Sequence, residues 1–304
     1  MDYEAAHDAF FRPGAPDFGV PGVVAAATSA RRLRDAAEPL AMHAVWSRRV
    51  NQALAEGGLD FLTSYVCGRA AALGDPVPEV VVSAFAWFSP DLVLGLYGSG
   101  RDQLPRAELL AVRTRAAVDG LQEILAGEDV ADVAETAATL RGALDGLDAI
   151  GRPLFAGLRA LPEPNEPVGR LWRACDMVRE YRGDGHIAAV ASTGLSPVEM
   201  NIATELWLGA PILSYTATRG WSEEQMGEAM TSLTARGWLD GEQLTELGRS
   251  GRDEIERRTD AAEHPLVTAL GHDIDALAYR LDSWGQLCID ADAFPPDPFK
   301  RWAG

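Results

Sequence analysis

Apolar residues at helical spacing run through almost the entire chain, and that period alone points to a fold of packed helices. Over residues 29–55, Leu33, Ala37, Leu40, Val45 and Val50 read as the inner face, while Arg31, Arg32 and Arg34 read as the outer one. Residues 130–147 repeat the pattern with Val133, Ala137, Leu140, Leu144 and Leu147. The helical stretch Arg106–Leu125 precedes it across a short turn, which predicts two antiparallel neighbours. With 304 residues and 47% hydrophobic content, the chain has ample core for one large or two ordinary domains.

The densest polar chemistry lies in V-R-E-Y-R-G-D-G-H-I-A-A-V, residues Val178–Val190. Arg179, Glu180, Arg182, Asp184 and His186 stand within eight residues, ahead of an apolar run from Ile187 to Ala191. Upstream, Leu171, Cys175, Val178 and Tyr181 share a helical face. Gly183 and Gly185 are expected to end or bend this helix, since glycine tolerates positive φ and costs about 1 kcal/mol in a helix interior. Asp184 would then cap the next helix. Arg182, Asp184 and His186 would meet at the junction, beside apolar surface. The same residues also read as a structural Arg182–Asp184 ion pair with a hydrogen-bonded core histidine.

The formal net charge is −18, from 27 Lys plus Arg against 45 Asp plus Glu. This balance argues against broad contact with nucleic-acid phosphates, which needs a positive face. It leaves room for a small anion held by a few arginines. Cys67, Cys175 and Cys288 stand far apart with no C-x-x-C pair and read as cytosolic free thiols. The five histidines form no H-x-x-x-H pair, and no nucleotide-binding glycine loop occurs. Neither a metal nor a cofactor is therefore expected. No run of eighteen apolar residues and no leader pattern is found, so the expected location is the cytoplasm, away from membranes.

The pattern changes after Thr218. A helix is expected from Ser222 to Arg236, with Met226, Met230 and Leu233 inside and Gly237 as its stop. The segment W-L-D-G-E-Q-L-T, Trp238–Thr245, predicts a short hairpin turning at Asp240 and Gly241. A long helix follows through Arg258, and helical spacing resumes from His264 to about Cys288. The expected class is mainly α: a helical body with a winged-helix-like C-terminal module. The expected organisation is an irregular arm over 1–28, a helical domain with the candidate pocket over 29–217, the winged-helix-like module over 218–262, and a helix with an extended tail over 263–304. Ser196, Pro197 and Glu199 form a capping box, which is a sufficient structural account of Glu199.

Several stretches resemble a little-characterised actinobacterial family of helical proteins, often labelled helix-turn-helix from its winged part. They are E-P-L-A-M-H-A-V (Glu38–Val45), C-G-R-A-A-A-L-G (Cys67–Gly74), F-A-W-F-S-P (Phe85–Pro90), G-R-P-L-F (Gly151–Phe155), R-G-D-G-H-I-A-A (Arg182–Ala189) and L-T-A-R-G-W-L-D (Leu233–Asp240). The resemblance covers residues 29–260, and R-G-D-G-H is its sharpest element. It implies that His43, Arg69, Trp87, Arg182, Asp184 and His186 contribute to one site. It also implies a place beside specialised-metabolite pathways, with one branch associated with small strained nitrogen rings formed by internal displacement of a sulfate-type group.

The favoured expectation is a cofactor-independent lyase or cyclase acting on a small anionic metabolite. His186 would be the general base, oriented by Asp184. Arg69 and Arg182 would hold the anionic group, His43 would be a second acid or base, and Trp87 would wall the cavity. A ligand-responsive regulator, dimeric on DNA, is the first alternative. Three acids, Glu223, Glu224 and Glu228, against the single base Arg236 on the would-be recognition helix oppose it. A non-catalytic partner of a pathway enzyme or carrier protein, itself a homodimer or not, is the second.

Overall fold

The computed structural model describes residues 20–294 and 301–303. Residues 1–19 of the arm expected over 1–28 and residues 295–300 of the tail lie outside the described residues. The molecule is mainly helical. After a one-turn helix, Gly22–Ala25, come α1 (Ser29–Ala41), α2 (Arg48–Glu56), α3 (Phe61–Ala70), α4 (Pro78–Phe85), α5 (Pro90–Arg101), α6 (Arg106–Ile124) and α7 (Val130–Asp145). They are followed by α8 (Pro153–Ala160), α9 (Pro167–Ala191), α10 (Pro197–Trp207) and α11 (Glu223–Ala235). The strands β1 (Leu239–Asp240) and β2 (Gln243–Leu244), then α12 (Glu246–Ala262), α13 (His264–Leu270) and α14 (Ile274–Asp290), complete the order.

Local chemistry accounts for where these helices begin. The side chains of Thr28, Ser47 and Asp60 accept from backbone N–H groups three residues on, capping α1, α2 and α3. Proline opens α4, α5, α8, α9 and α10, where its missing N–H costs nothing. Ser196 with Glu199 and Ser222 with Gln225 form complete capping boxes at α10 and α11. The hairpin pairs antiparallel with Leu239 opposite Leu244.

The apolar faces build two cores. The larger gathers the faces of α1 to α8, α13 and α14 around the first half of α9, including Leu140, Leu144, Phe155 and Trp172. The smaller gathers α10, α11, the hairpin and Ile255 of α12 around Ala189 and Val190 at the other end of α9. Full burial of a leucine such as Leu140 contributes about 1.5–3 kcal/mol. Helix α9 thus threads both cores, and α1 and α12 pack along it.

Three sequence expectations fail here. Arg31 and Arg34, read as the outer face of α1, are buried at 4% and 1% exposure, because carboxylates meet them inside the fold. Helix α9 runs unbroken for 25 residues through Gly183 and Gly185. At Gly185 the missing side chain admits a neighbour: a Cβ there would stand 2.8 Å from Arg152 Nη1. That guanidinium donates to the carbonyls of Tyr181 and Ala262 and stacks on the Tyr181 ring at 3.6 Å. Asp184 therefore caps no helix that follows it. Its Oδ2 accepts from Phe155 N at 3.0 Å, in the first turn of α8. The period over 264–288 is also divided, into α13 and α14, by the turn at Gly271. No helix is long and apolar enough to cross a membrane among the described residues.

Candidate functional site

Where the two cores meet, α1, α3 and α9 carry an alternating row of charges. Arg69 donates to Glu180 through both Nε (2.7 Å) and Nη2 (2.8 Å), a bidentate pair. Arg179 donates from Nη1 to Glu180 at 2.5 Å and from Nε to both oxygens of Glu38 at 3.1 and 3.0 Å. Arg34 pairs with Glu38 at 3.1 Å and with Asp35 at 3.0 Å. Burial favours the neutral form of Glu180, but Arg69 and Arg179 outweigh it and pull the carboxyl down to about 2. The row Asp35, Arg34, Glu38, Arg179, Glu180, Arg69 is balanced charge for charge.

Above this row lies a cavity of about 50 Å³ walled by aromatic rings, Trp46, Tyr65, Trp87, Phe88 and Tyr215. Arg69, Trp87, Arg179 and Gly183 keep partial exposure and mark its mouth. One cation lining it is not balanced. Arg219 is 7% exposed, and its Nε has no hydrogen-bond partner. Among the described residues no carboxylate pairs with it. Its guanidinium stacks on Tyr215 at 4.0 Å and on Phe88 at 4.7 Å.

The second core holds Arg219 in place. Glu205 of α10, buried, accepts from the N–H groups of Leu213 (2.5 Å), Tyr215 (2.9 Å) and Thr216 (2.9 Å). Gly220 has φ +79, and a Cβ there would lie 2.7 Å from Leu92 Cδ2, so only glycine lets this segment close onto α5. Ser89 N donates to the Arg219 carbonyl at 2.8 Å. Trp87 follows Ala86, whose φ of 32 is a strained value for a residue with a side chain. The Trp87 carbonyl accepts from Asn201 Nδ2 at 2.8 Å and from Trp221 Nε1 at 3.1 Å, which fixes the strained turn.

The expected single hollow of His43, Arg69, Trp87, Arg182, Asp184 and His186 is not what the fold builds. It brings Arg69 and Trp87 together in the cavity. His186 packs against Trp87 with ring centroids 5.3 Å apart. Its Nδ1 lies 2.9 Å from Thr259 Oγ1, which itself donates to the Ile255 carbonyl. Thr259 must then accept, so Nδ1 carries the proton and Nε2 the lone pair. Thr259, not Asp184, orients the ring. Burial, then Arg252, pushes the imidazole down to about 3.

Arg182 turns the other way, away from Asp184, and pairs with Glu256, Asp260 (2.8 Å) and Glu263 of α12 and its C-terminal cap. These three carboxylates share one guanidinium because α12 presents them on one face. Burial raises Asp184 to about 7, with the Glu180 charge adding to it. His43 is buried beside Arg49, Gly120 and Glu123 in a separate groove, edge-on to Phe294, with no hydrogen-bond partner for either ring nitrogen among the described residues. Burial lowers it to about 3. Among the described residues no group of His, Cys, Asp and Glu is arranged to hold a metal ion.

Sequence reasoning missed Arg219, Glu180 and Glu38 as members of the site. Glu38 and Glu180 stand in stretches already singled out, and their spacing to Arg34 and Arg179 was the available signal. For Arg219 no local signal exists, because its setting is created by Glu205 and Phe88 from distant segments.

A mainly helical protein with a buried cation left over in an aromatic cavity is the class that this fold and site define. The chain belongs to the helix-turn-helix family, whose model matches residues 30–295. No curated protein and no solved structure matches it.

Proposed function

We propose that the protein takes the anionic group of a small metabolite into the Arg219 cavity and promotes its departure without a cofactor. The single observation that carries this reading is Arg219: a buried, unpaired guanidinium beside a row in which every other cation already has a carboxylate. A buried charge is costly unless an opposite charge and acceptors complete it, and an oxyanion supplies both. The cavity has room for an oxyanion rather than a whole metabolite, so the carbon skeleton stays at the mouth against Trp87. As the bond from carbon to the departing oxygen breaks, the electron pair moves onto that oxygen, where Arg219 stabilises it. An internal substitution by a nitrogen of the same substrate fits this arrangement, in keeping with the resemblance: the new C–N bond replaces the broken C–O bond and the surplus N–H proton passes to water at the mouth, whereas an elimination would need that water to take a proton from carbon. No proton transfer is assigned to His186, since a base at about 3 is weak at neutral pH. Its place in the reading is to support Trp87.

The helix, hairpin and helix of residues 223–262 fit a winged helix used for packing. Glu223, Glu224 and Glu228 are exposed on α11, and the exposed Arg236, Arg257 and Arg258 pair with Glu199 and Glu254. Such a surface repels DNA phosphates, so no retardation of upstream DNA is expected at low salt.

Inorganic sulfate titrated into the protein should quench the emission of Trp46 and Trp87 to saturation. Arg219→Met should weaken that binding by about tenfold or more, the loss of a charge-assisted contact in a buried site. Candidate sulfo- or phospho-metabolites should then release their oxyanion with the wild-type chain and not with the variant. Equal sulfate binding by both proteins would overturn the reading.

A further inference from the structure

We propose that the groove between α6 and the proline-rich connector over 161–166 is a second ligand site, for a monocarboxylate with an apolar body. It is independent of the Arg219 cavity and shares no residue with it. The groove encloses about 570 Å³, inside the range of roughly 300–1,000 Å³ typical of small-molecule sites. Leu110 and Val118 of α6 form one wall, and Leu161, Pro162 and Pro164 form the other. The connector's prolines make that wall stiff. Its distance from α9 is fixed at Gly169, where a Cβ would stand 2.6 Å from Pro164 Cβ and 3.0 Å from Val118 Cγ2. The cleft is thus set by backbone approach and stands open without a ligand's help.

Arg173 lies four residues beyond Gly169, on the same face of α9, and lines the groove. It is 2% exposed. Its Nη1 donates to the Leu158 carbonyl at 3.4 Å, while its Nε has no partner. No carboxylate pairs with it among the described residues. Burial lowers its pKa, and the charges of Asp176 and Glu163 act against that from beyond ion-pair contact. A carboxylate entering the groove would supply the missing acceptor, and a hydrocarbon body would cover the apolar walls. The remaining charges lining the groove favour a single negative charge over two. Asp119, Glu163 and Glu166 line it with Arg106, Arg115 and Arg173, three acids against three bases, and Glu163 pairs outside the groove with Arg141 at 3.8 Å, so the lining is close to neutral and a phosphate dianion would meet more repulsion than a carboxylate.

Calorimetric titration of the full chain with octanoate, and with 1-octanol as its uncharged counterpart, tests the assignment. Octanoate should saturate one site per chain, with octanol weaker by about tenfold or more. Arg173→Met should reduce octanoate affinity by a similar factor. Ala111→Trp, an exposed position lining the groove, should block octanoate while leaving sulfate binding at the other cavity as in the wild type. If Arg173→Met does not fold, as judged by circular dichroism, the Ala111→Trp variant decides alone. Absence of saturable octanoate binding, equal binding of octanol, or unchanged octanoate affinity in Ala111→Trp would each overturn the proposal. A failure of sulfate to bind at Arg219 would leave it standing.

Discussion

Asp184 shows how a buried carboxyl ties stability to pH. In the folded chain it titrates at about 7, whereas in the unfolded chain it returns to an ordinary value of about 4. Between those values the folded chain keeps a proton that the unfolded chain has released, so stability is lost as pH climbs through the window and is level above it. Asp184→Asn keeps a side-chain acceptor for Phe155 N and cannot ionise. Relative to the wild type it should therefore gain stability steadily from about pH 4 to about pH 7 in urea denaturation. A difference that stays constant across that window would exclude the titration. The candidate site was partly readable at this scale. Arg69 and Trp87 were found through the resemblance, in C-G-R-A-A-A-L-G and F-A-W-F-S-P. Arg182 and His186 were found in the densest polar stretch but face α12, since adjacent side chains on a helix point in directions about 100° apart. Proximity in sequence said nothing about which neighbour each would meet. Arg219 was unreadable, because what distinguishes it is the absence of a partner.

The glycines of α9 separate propensity from packing. Both were read as helix breakers, and both lie inside a continuous helix. A Cβ at Gly183 would meet its nearest neighbour, Glu180 Oε2, at 3.5 Å, an ordinary contact, so alanine fits. Gly183→Ala should stabilise the fold by up to about 1 kcal/mol through helix propensity. Gly185→Ala should destabilise it, because the added atom strikes an Arg152 guanidinium that is anchored to two carbonyls and a ring. Thermal melts of the pair should shift in opposite directions, and a common direction would count against this account. The other elements were legible where local rules act alone. The capping boxes, the Asp240–Gly241 hairpin and the amphipathic helices α6 and α7 depend on residues a few positions apart. The continuity of α9 depends on Arg152 and on α12, which no window of sequence contains.

Across the whole molecule, a layer of buried charge separates the two cores. Arg182, Arg31 and Arg252 meet at Glu256, and Arg182 also holds Asp260 and Glu263. Arg182→Gln would leave three carboxylates with one shared cation fewer, and such losses cost about 3–5 kcal/mol. The damage should fall on one side. In hydrogen exchange the amides of α10, α11 and α12 should lose protection first, with α6 and α7 holding theirs. A uniform loss across both cores would show that the layer does not join them. The change of pattern after Thr218 marks a seam, and it runs through the Arg219 cavity. Trp87, Arg69, the charged row and the groups that hold Arg219 come from one side, while Arg219 and Trp221 lie just beyond it. A polypeptide ending at residue 217 would keep the row and lack the guanidinium that gives the hollow its selectivity. The pieces on either side cannot be exchanged by gene shuffling without losing that hollow, and so must be inherited together.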